Sequence, residues 1–394
     1  MTTSQRSALI RRIVDEAIGL GVLEPLLADE SVTEIMVNGT DEVYVERDGR
    51  LQRADVSFSD EGQLYQTIDR IVSQVNRRVD ESSPMVDARL PTGERVNVII
   101  PPLALNGPTM TIRRFPRLFT VDELVSIRSM DQPTADLLRA LVKAKLNIVI
   151  SGGTGAGKTT LLNALSSAVP PQERIITVED NAELRLQQPH VVTLEARPRN
   201  VEGKGEVTIR DLVRNSLRMR PDRIIVGEVR GAETLDMLQA MNTGHEGSLT
   251  TIHANAPRDA LSRLETLVMT AGVELPLRAI REQISSAFDL LVQITRLVDG
   301  SRRLTNITEV LRMESDTITL QDLFVAKPPD EEQAAENRAH RFLLPLTCTG
   351  LKPHFLDKLA TNGVVLQPSF FDTADSSPAV GAGYQSSKFH GAFQ

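Results

Sequence analysis

A single cysteine, Cys348, among 394 residues leaves the chain no internal disulfide framework and suits a reducing compartment. Tryptophan is absent and aromatic residues make up only 4% of the chain, which argues against a channel that grips single-stranded nucleic acid by stacking its bases. Positive charge is not in surplus: 44 Lys and Arg face 52 Asp and Glu, a formal net charge of -8, so there is no global basic footprint for nucleic acid. No apolar run approaches the roughly 20 residues that a membrane-spanning helix needs, and the opening MTTSQRSALIRRIVDEA is charged where a signal peptide would be apolar. These absences predict a cytosolic protein. No two of the six histidines share ligand spacing with each other or with the cysteine, so a structural metal site is not expected.

What is present is enough apolar content, 41%, for ordinary globular cores, over a length that predicts two or three domains. LIRRIVDEAIGLGVLEPLLADE has helical spacing broken at Gly19 and Gly21. VTEIMVNGTDEVYVERDGRLQRADVSFSD alternates apolar and polar residues around NGTD and RDGR and predicts a small antiparallel sheet. A helix over EGQLYQTIDRIVSQVNRRV follows, then further strands up to TIRRF. Beyond the connector PRLFTVDELVSIRS, strands and helices alternate and the strands are near-continuously apolar, the pattern of a largely parallel sheet covered on both faces. HVVTLEAR reads as a hairpin arm, and the DG turn after LLVQITRLV reads as a closing hairpin. The expected division is a helical leader over 1–30, an α+β domain over 31–115, a linker over 116–120, an α/β domain over 121–326 and an extension over 327–394. Within that extension the composition predicts mobility over 327–339 and after 372. The chain starts just ahead of the leader, which leaves a longer N-terminal extension as an open expectation.

The most informative stretch is LNIVISGGTGAGKTTLLNAL, where GGTGAGKT from Gly152 to Thr159 satisfies G-x-x-x-x-G-K-[ST] between a strand and a helix. Glycines at Gly153, Gly155 and Gly157, with Thr154 and Ala156 between them, let consecutive N–H groups wrap phosphates at a helix N-terminus. Lys158 would reach the outer phosphates, the Thr159 hydroxyl would hold Mg²⁺, and Thr160 continues the cradle. A dinucleotide fold is the rival, since Glu179 and Asp180 end the next strand about where a ribose-binding acid sits. The missing third glycine and the Lys-Thr pair argue against it. DRIIVGEVR places Glu228 at the carboxyl edge of the sheet, where it can orient water or act as base; Glu179 and Asp180 end another strand in the same way and can share that task or the metal. His253 closes GSLTTIHAN at the same edge, in position to sense a γ-phosphate.

In this order, GGTGAGKTT, ITVEDNAEL, RMRPDRIIVGEVRGAET and NTGHEGSLTTIHAN resemble the Walker A, acidic, Walker B and histidine boxes of the secretion-superfamily ATPases of type II and type IV secretion and type IV pilus assembly. SVTEIMVNG, DESSPMVDARLPTGERVNVIIPPLAL, TIRRF and VEGKGEVTIRDLVRNSLRMRPDR are most similar to the CpaF-like ATPases of Tad (Flp) pilus systems. The similarity runs from about Arg6 to Phe324 and again over TGLKPHFLDKLATNGVVLQPSFF. The resemblance implies a RecA-like P-loop motor domain behind an N-terminal α+β domain, ATP and Mg²⁺ as ligands, and a cytoplasmic hexamer docked on a polytopic inner-membrane platform protein. It also implies that Arg113, as a catalytic cation, and Arg114 reach the phosphates, with Arg89 and Arg95 as weaker candidates of the same kind. Two alternatives stay open: a conjugation-type or nucleic-acid-translocating ATPase, and a nucleotide-binding regulator without turnover.

Overall fold

The computed structural model describes Arg6 and residues 19–47, 50–75, 77–114, 117–199, 204–329, 345–366 and 368–371. The chain divides into two compact units, residues 1–117 and 118–394. Most of the sequence-predicted leader helix lies outside the described residues; what is described of it is a single turn over Gly21–Leu23 and a short helix α1 (Glu24–Ala28).

In the first unit the alternating segments form β1 (Val32–Asn38), β2 (Glu42–Arg47), β3 (Arg50–Arg53), β4 (Met85–Arg89), β5 (Arg95–Ile99) and β6 (Thr109–Arg113). They make one six-stranded antiparallel sheet in the order β3-β2-β1-β6-β5-β4. The sequence suggests a small sheet followed by further strands; β6 joins them by pairing with β1 on one side and β5 on the other. Helix α2 (Glu61–Gln74) starts at Asp60, whose carboxylate accepts the Gln63 N–H, and turns Leu64, Ile68, Ile71 and Val72 onto the face formed by Ile35, Val37, Val43, Val45, Val96, Val98, Met110 and Ile112.

The second unit is built on nine strands: β7 (Ile148–Gly152), β8 (Ile175–Glu179), β9 (Val191–Glu195), β10 (Arg223–Val226), β11 (Leu249–His253), β12 (Leu290–Arg296), β13 (Arg302–Glu314), β14 (Thr317–Ala326) and β15 (Leu346–Cys348). Their order is β15-β14-β13-β12-β7-β11-β10-β8-β9. The strands from β12 to β9 run parallel, and β13, β14 and β15 extend the sheet antiparallel. Two apolar cores sandwich it: Ile148 and Ile150 enter one and Val149 the other, as the two-residue period of a strand requires. Helices α3 (Val121–Ser126), α4 (Gln132–Lys143) and α5 (Lys158–Ser166) cover the first face, while α6 (Ile209–Ser216), α7 (Glu233–Asn242), α8 (Pro257–Met269) and α9 (Leu277–Ala287) cover the second. The DG hairpin forms between β12 and β13, its turn held by the Ser301 N–H and Oγ on the Asp299 carboxylate.

Three readings need correction. HVVTLEAR is no hairpin arm: β9 runs parallel to β8, in register from Ile175 opposite Val191 to Glu179 opposite Glu195. The loop after β8 carries the chain back to its starting edge, and its turn is held by Glu183 and Leu184 N–H groups donating to the Glu179 carboxylate. The connector PRLFTVDELVSIRS contains α3, opened by a capping box in which Thr120 and Glu123 satisfy each other's backbone N–H. Part of the expected extension belongs to the domain itself. β15 completes the sheet, and helix α10 (Leu356–Thr361) buries Leu359, with Phe355 and Phe371, in the first core. Residues 330–339 and those after 371 lie outside the described residues.

This C-terminal segment is held by polar ties as well. Buried Glu309 on β13 accepts the His354 and Phe355 N–H groups at 2.8 and 3.1 Å. Asp289 Oδ2 accepts both Lys358 Nζ at 2.8 Å and the Asn147 N–H, just before β7, at 2.7 Å.

Candidate nucleotide site

The sequence motif folds as its spacing requires. β7 is buried along its whole length and runs into the glycine loop. Gly157 takes φ 96° at the N-cap of α5, a left-handed conformation that an L side chain rarely adopts. The first backbone bond into α5 runs from Leu161 N–H to Gly157 O, so the amides of Lys158, Thr159 and Thr160 have no carbonyl of their own helix to meet. They form a positive helix end behind a loop in which Thr154 and Gly155 are exposed, Gly153 is half-buried and Ala156 is buried. A cradle of this shape fits the phosphates of a nucleotide.

The acids and the histidine arrive at the same edge because their strands are parallel neighbours. His253, the last residue of β11, is paired with Gly152 of β7. Glu228 follows β10 and Glu179 ends β8, so both stand at the carboxyl ends of the sheet. A continuous chain of contacts results. Lys158 Nζ donates to Gly153 O at 3.1 Å and lies 3.3 Å from each ring nitrogen of His253. His253 Nε2 is 3.0 Å from Glu228 Oε1, Arg230 donates to Glu228 Oε2 at 2.7 Å, and Arg230 also meets Asp180 at 3.5 Å.

Burial and neighbours set the charges. Lys158, 7% exposed, has its ammonium brought down to about 8, chiefly by burial. Burial, then the Lys158 charge, lowers the His253 pKa, which favours a neutral ring; with its proton on Nε2 that ring donates to Glu228 and leaves Nδ1 to face Lys158. The hydrogen bond to Glu228 holds the Arg230 guanidinium above its ordinary range. Glu179 is only 4% exposed and burial pushes its carboxyl up to about 7, against the two backbone N–H groups that favour its charge. Gly227 leans on it: a Cβ there would sit 2.7 Å from Glu179 Cγ, so only glycine lets β10 pass so close.

The loop residues from Gly153 to Thr160, Glu179, Asp180, Glu228 and His253 thus share one edge of the second unit. The arginines are in the first. Arg113 ends β6, exposed, and in register with Arg95, itself opposite Arg89 on β4. Directly paired residues share a face, so these three form one row across the sheet, ending opposite Glu34 on β1. Arg114 is spent locally, its guanidinium donating to the carbonyls of Asp29 and Val32. Arg230 was missed as a functional residue, though G-E-V-R just past a strand places it two residues from the acid it grips. Among the described residues no three His, Cys, Asp or Glu side chains converge as a metal site. None of the described helices is long and apolar enough to cross a membrane.

Comparison with known proteins agrees with this architecture. A putative conjugal transfer protein of Mycobacterium tuberculosis is 42% identical over 315 residues, 78% of this chain and 89% of its own. A type IV secretion system protein of Bordetella pertussis, PtlH, is 34% identical over 313 residues, 72% of this chain and 91% of its own. The crystal structure of the pilus retraction motor PilT with bound ADP superposes with a TM-score of 0.54 at 20% identity, over 78% of this chain and 84% of that one, which shows a shared RecA-like fold. Residues 16–341 match the family of type II/IV secretion system proteins. With its glycine loop, acidic edge and histidine assembled on that fold, the chain belongs to the type II/IV secretion family of ATPases.

Proposed function

We propose that the chain is an ATP-hydrolysing motor that powers Tad-type pilus assembly or an allied secretion step, as a cytoplasmic homo-hexamer acting on a polytopic inner-membrane platform protein. The observation that carries the reading is the unbroken chain from Lys158 through His253 and Glu228 to Arg230 and Asp180, beside a helix N-terminus whose first amides meet no carbonyl of their own helix. In it, the amides from Gly153 to Thr160 cradle the phosphates and Lys158 exchanges Gly153 O for an outer phosphate oxygen. Thr159 and Asp180 are the residues that would hold a Mg²⁺ arriving with the nucleotide, which would neutralise charge on the phosphates. Glu228 orients or deprotonates the attacking water, with Glu179, poised near neutrality, the other candidate. His253, which touches both Lys158 and Glu228, registers whether the γ-phosphate is present. Arg113, backed by the row behind it, supplies charge to the transition state.

A second reading, transfer of nucleic acid, is supported by the relatives named for conjugal transfer. The acidic balance and the scarcity of aromatic residues weigh against it. Steady-state ATPase measurements test both. Lys158→Ala should abolish turnover and weaken ATP binding in a folded protein, and Glu228→Gln should bind MgATP but lose roughly 10²-fold in kcat. A folded Lys158→Ala protein with turnover within about twofold of wild type would sink the reading. Stimulation by DNA favours the second reading, and zero turnover in the assembled wild type leaves a regulator rather than a motor.

A further inference from the structure

On the other side of β7 from β11, the strand next to the glycine loop is β12, and its hairpin partner is β13. Two arginines flank the turn of that hairpin, Arg296 ending β12 and Arg302 opening β13, directly opposite each other. Both are exposed and both lean over the loop. Arg302 Nε donates to Gly155 O at 2.9 Å, and its stem passes so close to Gly157 that a Cβ there would meet Arg302 Cδ at 3.1 Å. Arg296 Nη1 is 3.6 Å from where a Cβ on Gly155 would stand.

The placement of these side chains is built rather than accidental. The Arg302 carbonyl accepts the Ser129 hydroxyl at 2.6 Å, and the Leu304 N–H donates to Ser129 O at 3.0 Å, tying the start of β13 to the segment before α4. The turn between the two arginines is pinned by Asp299 and Ser301. Two guanidiniums held side by side repel, and among the described residues neither has an ion-pair partner. An anion between them and the loop removes that cost.

We infer that Arg296 and Arg302 are a second cationic wall of the nucleotide site, gripping the inner phosphates, α and β, from the β12 side. This rests on the nucleotide reading above. The transferred phosphate belongs with Lys158, His253 and Glu228 on the β11 and β10 side, so charge supplied from β12 acts on the part of the nucleotide that ATP and ADP have in common. Its contribution is therefore uniform binding, equal in ground and transition states. Arg302 is also a positioning residue: its bond to Gly155 O fixes the orientation of a peptide in the middle of the loop.

Titration calorimetry of the full chain with ADP and with a non-hydrolysable ATP analogue, beside steady-state kinetics, tests the assignment. Arg296→Ala and Arg302→Ala should each weaken both ligands about tenfold, with kcat/KM falling by the same factor, and Arg302→Lys should recover part of the loss. Because Arg296 makes no bond to the loop backbone, its variant isolates the effect of charge from that of loop geometry. ADP affinity within about twofold of wild type in both alanine variants overturns the inference while leaving the nucleotide reading intact. So does a loss confined to the ATP analogue, which would move these arginines to the γ-phosphate. Wild-type protein that binds neither ligand overturns the nucleotide reading itself, and the inference with it.

Discussion

Glu179 shows how one side chain ties stability to chemistry. Its carboxyl holds a proton up to about pH 7, whereas in the unfolded chain it ionises near 4.5. Between those values the native state binds more protons, so the contribution of this group is fully present below the unfolded pKa and is lost as pH rises through the folded one. By pH 8 the native protein carries a buried charge that costs about 3 kcal/mol. Glu179→Gln keeps an oxygen for the Glu183 and Leu184 N–H groups and does not titrate. The variant should therefore gain about 2 kcal/mol over wild type on going from pH 5 to pH 8, read from urea unfolding at the two pH values. A flat difference across that range would mean the carboxyl is not desolvated as the structure shows. The same strain gives the residue a pKa suited to a base at neutral pH.

Among the elements, α10 falls in what the sequence reads as an extension and packs into the domain core. Leu359 is 1% exposed inside the core that also packs α4 and α5. Leu359→Ala should destabilise the protein by about 2 to 4 kcal/mol, as removal of a fully buried leucine does elsewhere. A change under about 0.5 kcal/mol in the urea midpoint analysis would mark the helix as peripheral. The sequence under-reports this helix because it follows a polar, proline-marked stretch, and local composition says nothing of what a segment returns to touch. Strand direction is hidden for a similar reason: nothing in HVVTLEAR distinguishes an arm that turns back from one that runs alongside. The strands IVISG, IITVE and RIIV were legible because burial on both faces writes itself as an unbroken apolar run. The capping box of α3 is equally plain in the sequence, with Thr120 and Glu123 at the right spacing. In the site, motif spacing found the loop, the acids and the histidine. It had no means of finding Arg302, which reaches Gly155 across 147 positions of chain.

Among the described residues the molecule has three cores, one in the first unit and one on each face of the second unit's sheet, and no core is shared between the units. A fragment started at Leu118 retains the entire nine-stranded sheet with every candidate loop, acid and histidine, and should fold and bind ATP. If the arginine row of the first unit supplies charge to the transition state, that fragment should hydrolyse ATP poorly, and Arg113→Ala in the full chain should lower kcat about 10- to 100-fold with a modest change in ATP affinity. Full turnover by the fragment would show that the first unit takes no part in the chemistry. The two-sided hold of Asp289, with Lys358 on one side and the start of β7 on the other, would have a mechanical meaning in the proposed motor. The strand that carries the phosphate loop is rooted, at the end remote from the nucleotide, to the same carboxylate that moors the tail. Tension applied to that tail is thus delivered to the base of β7, and whatever strains β7 from the nucleotide end is felt at the tail's anchor.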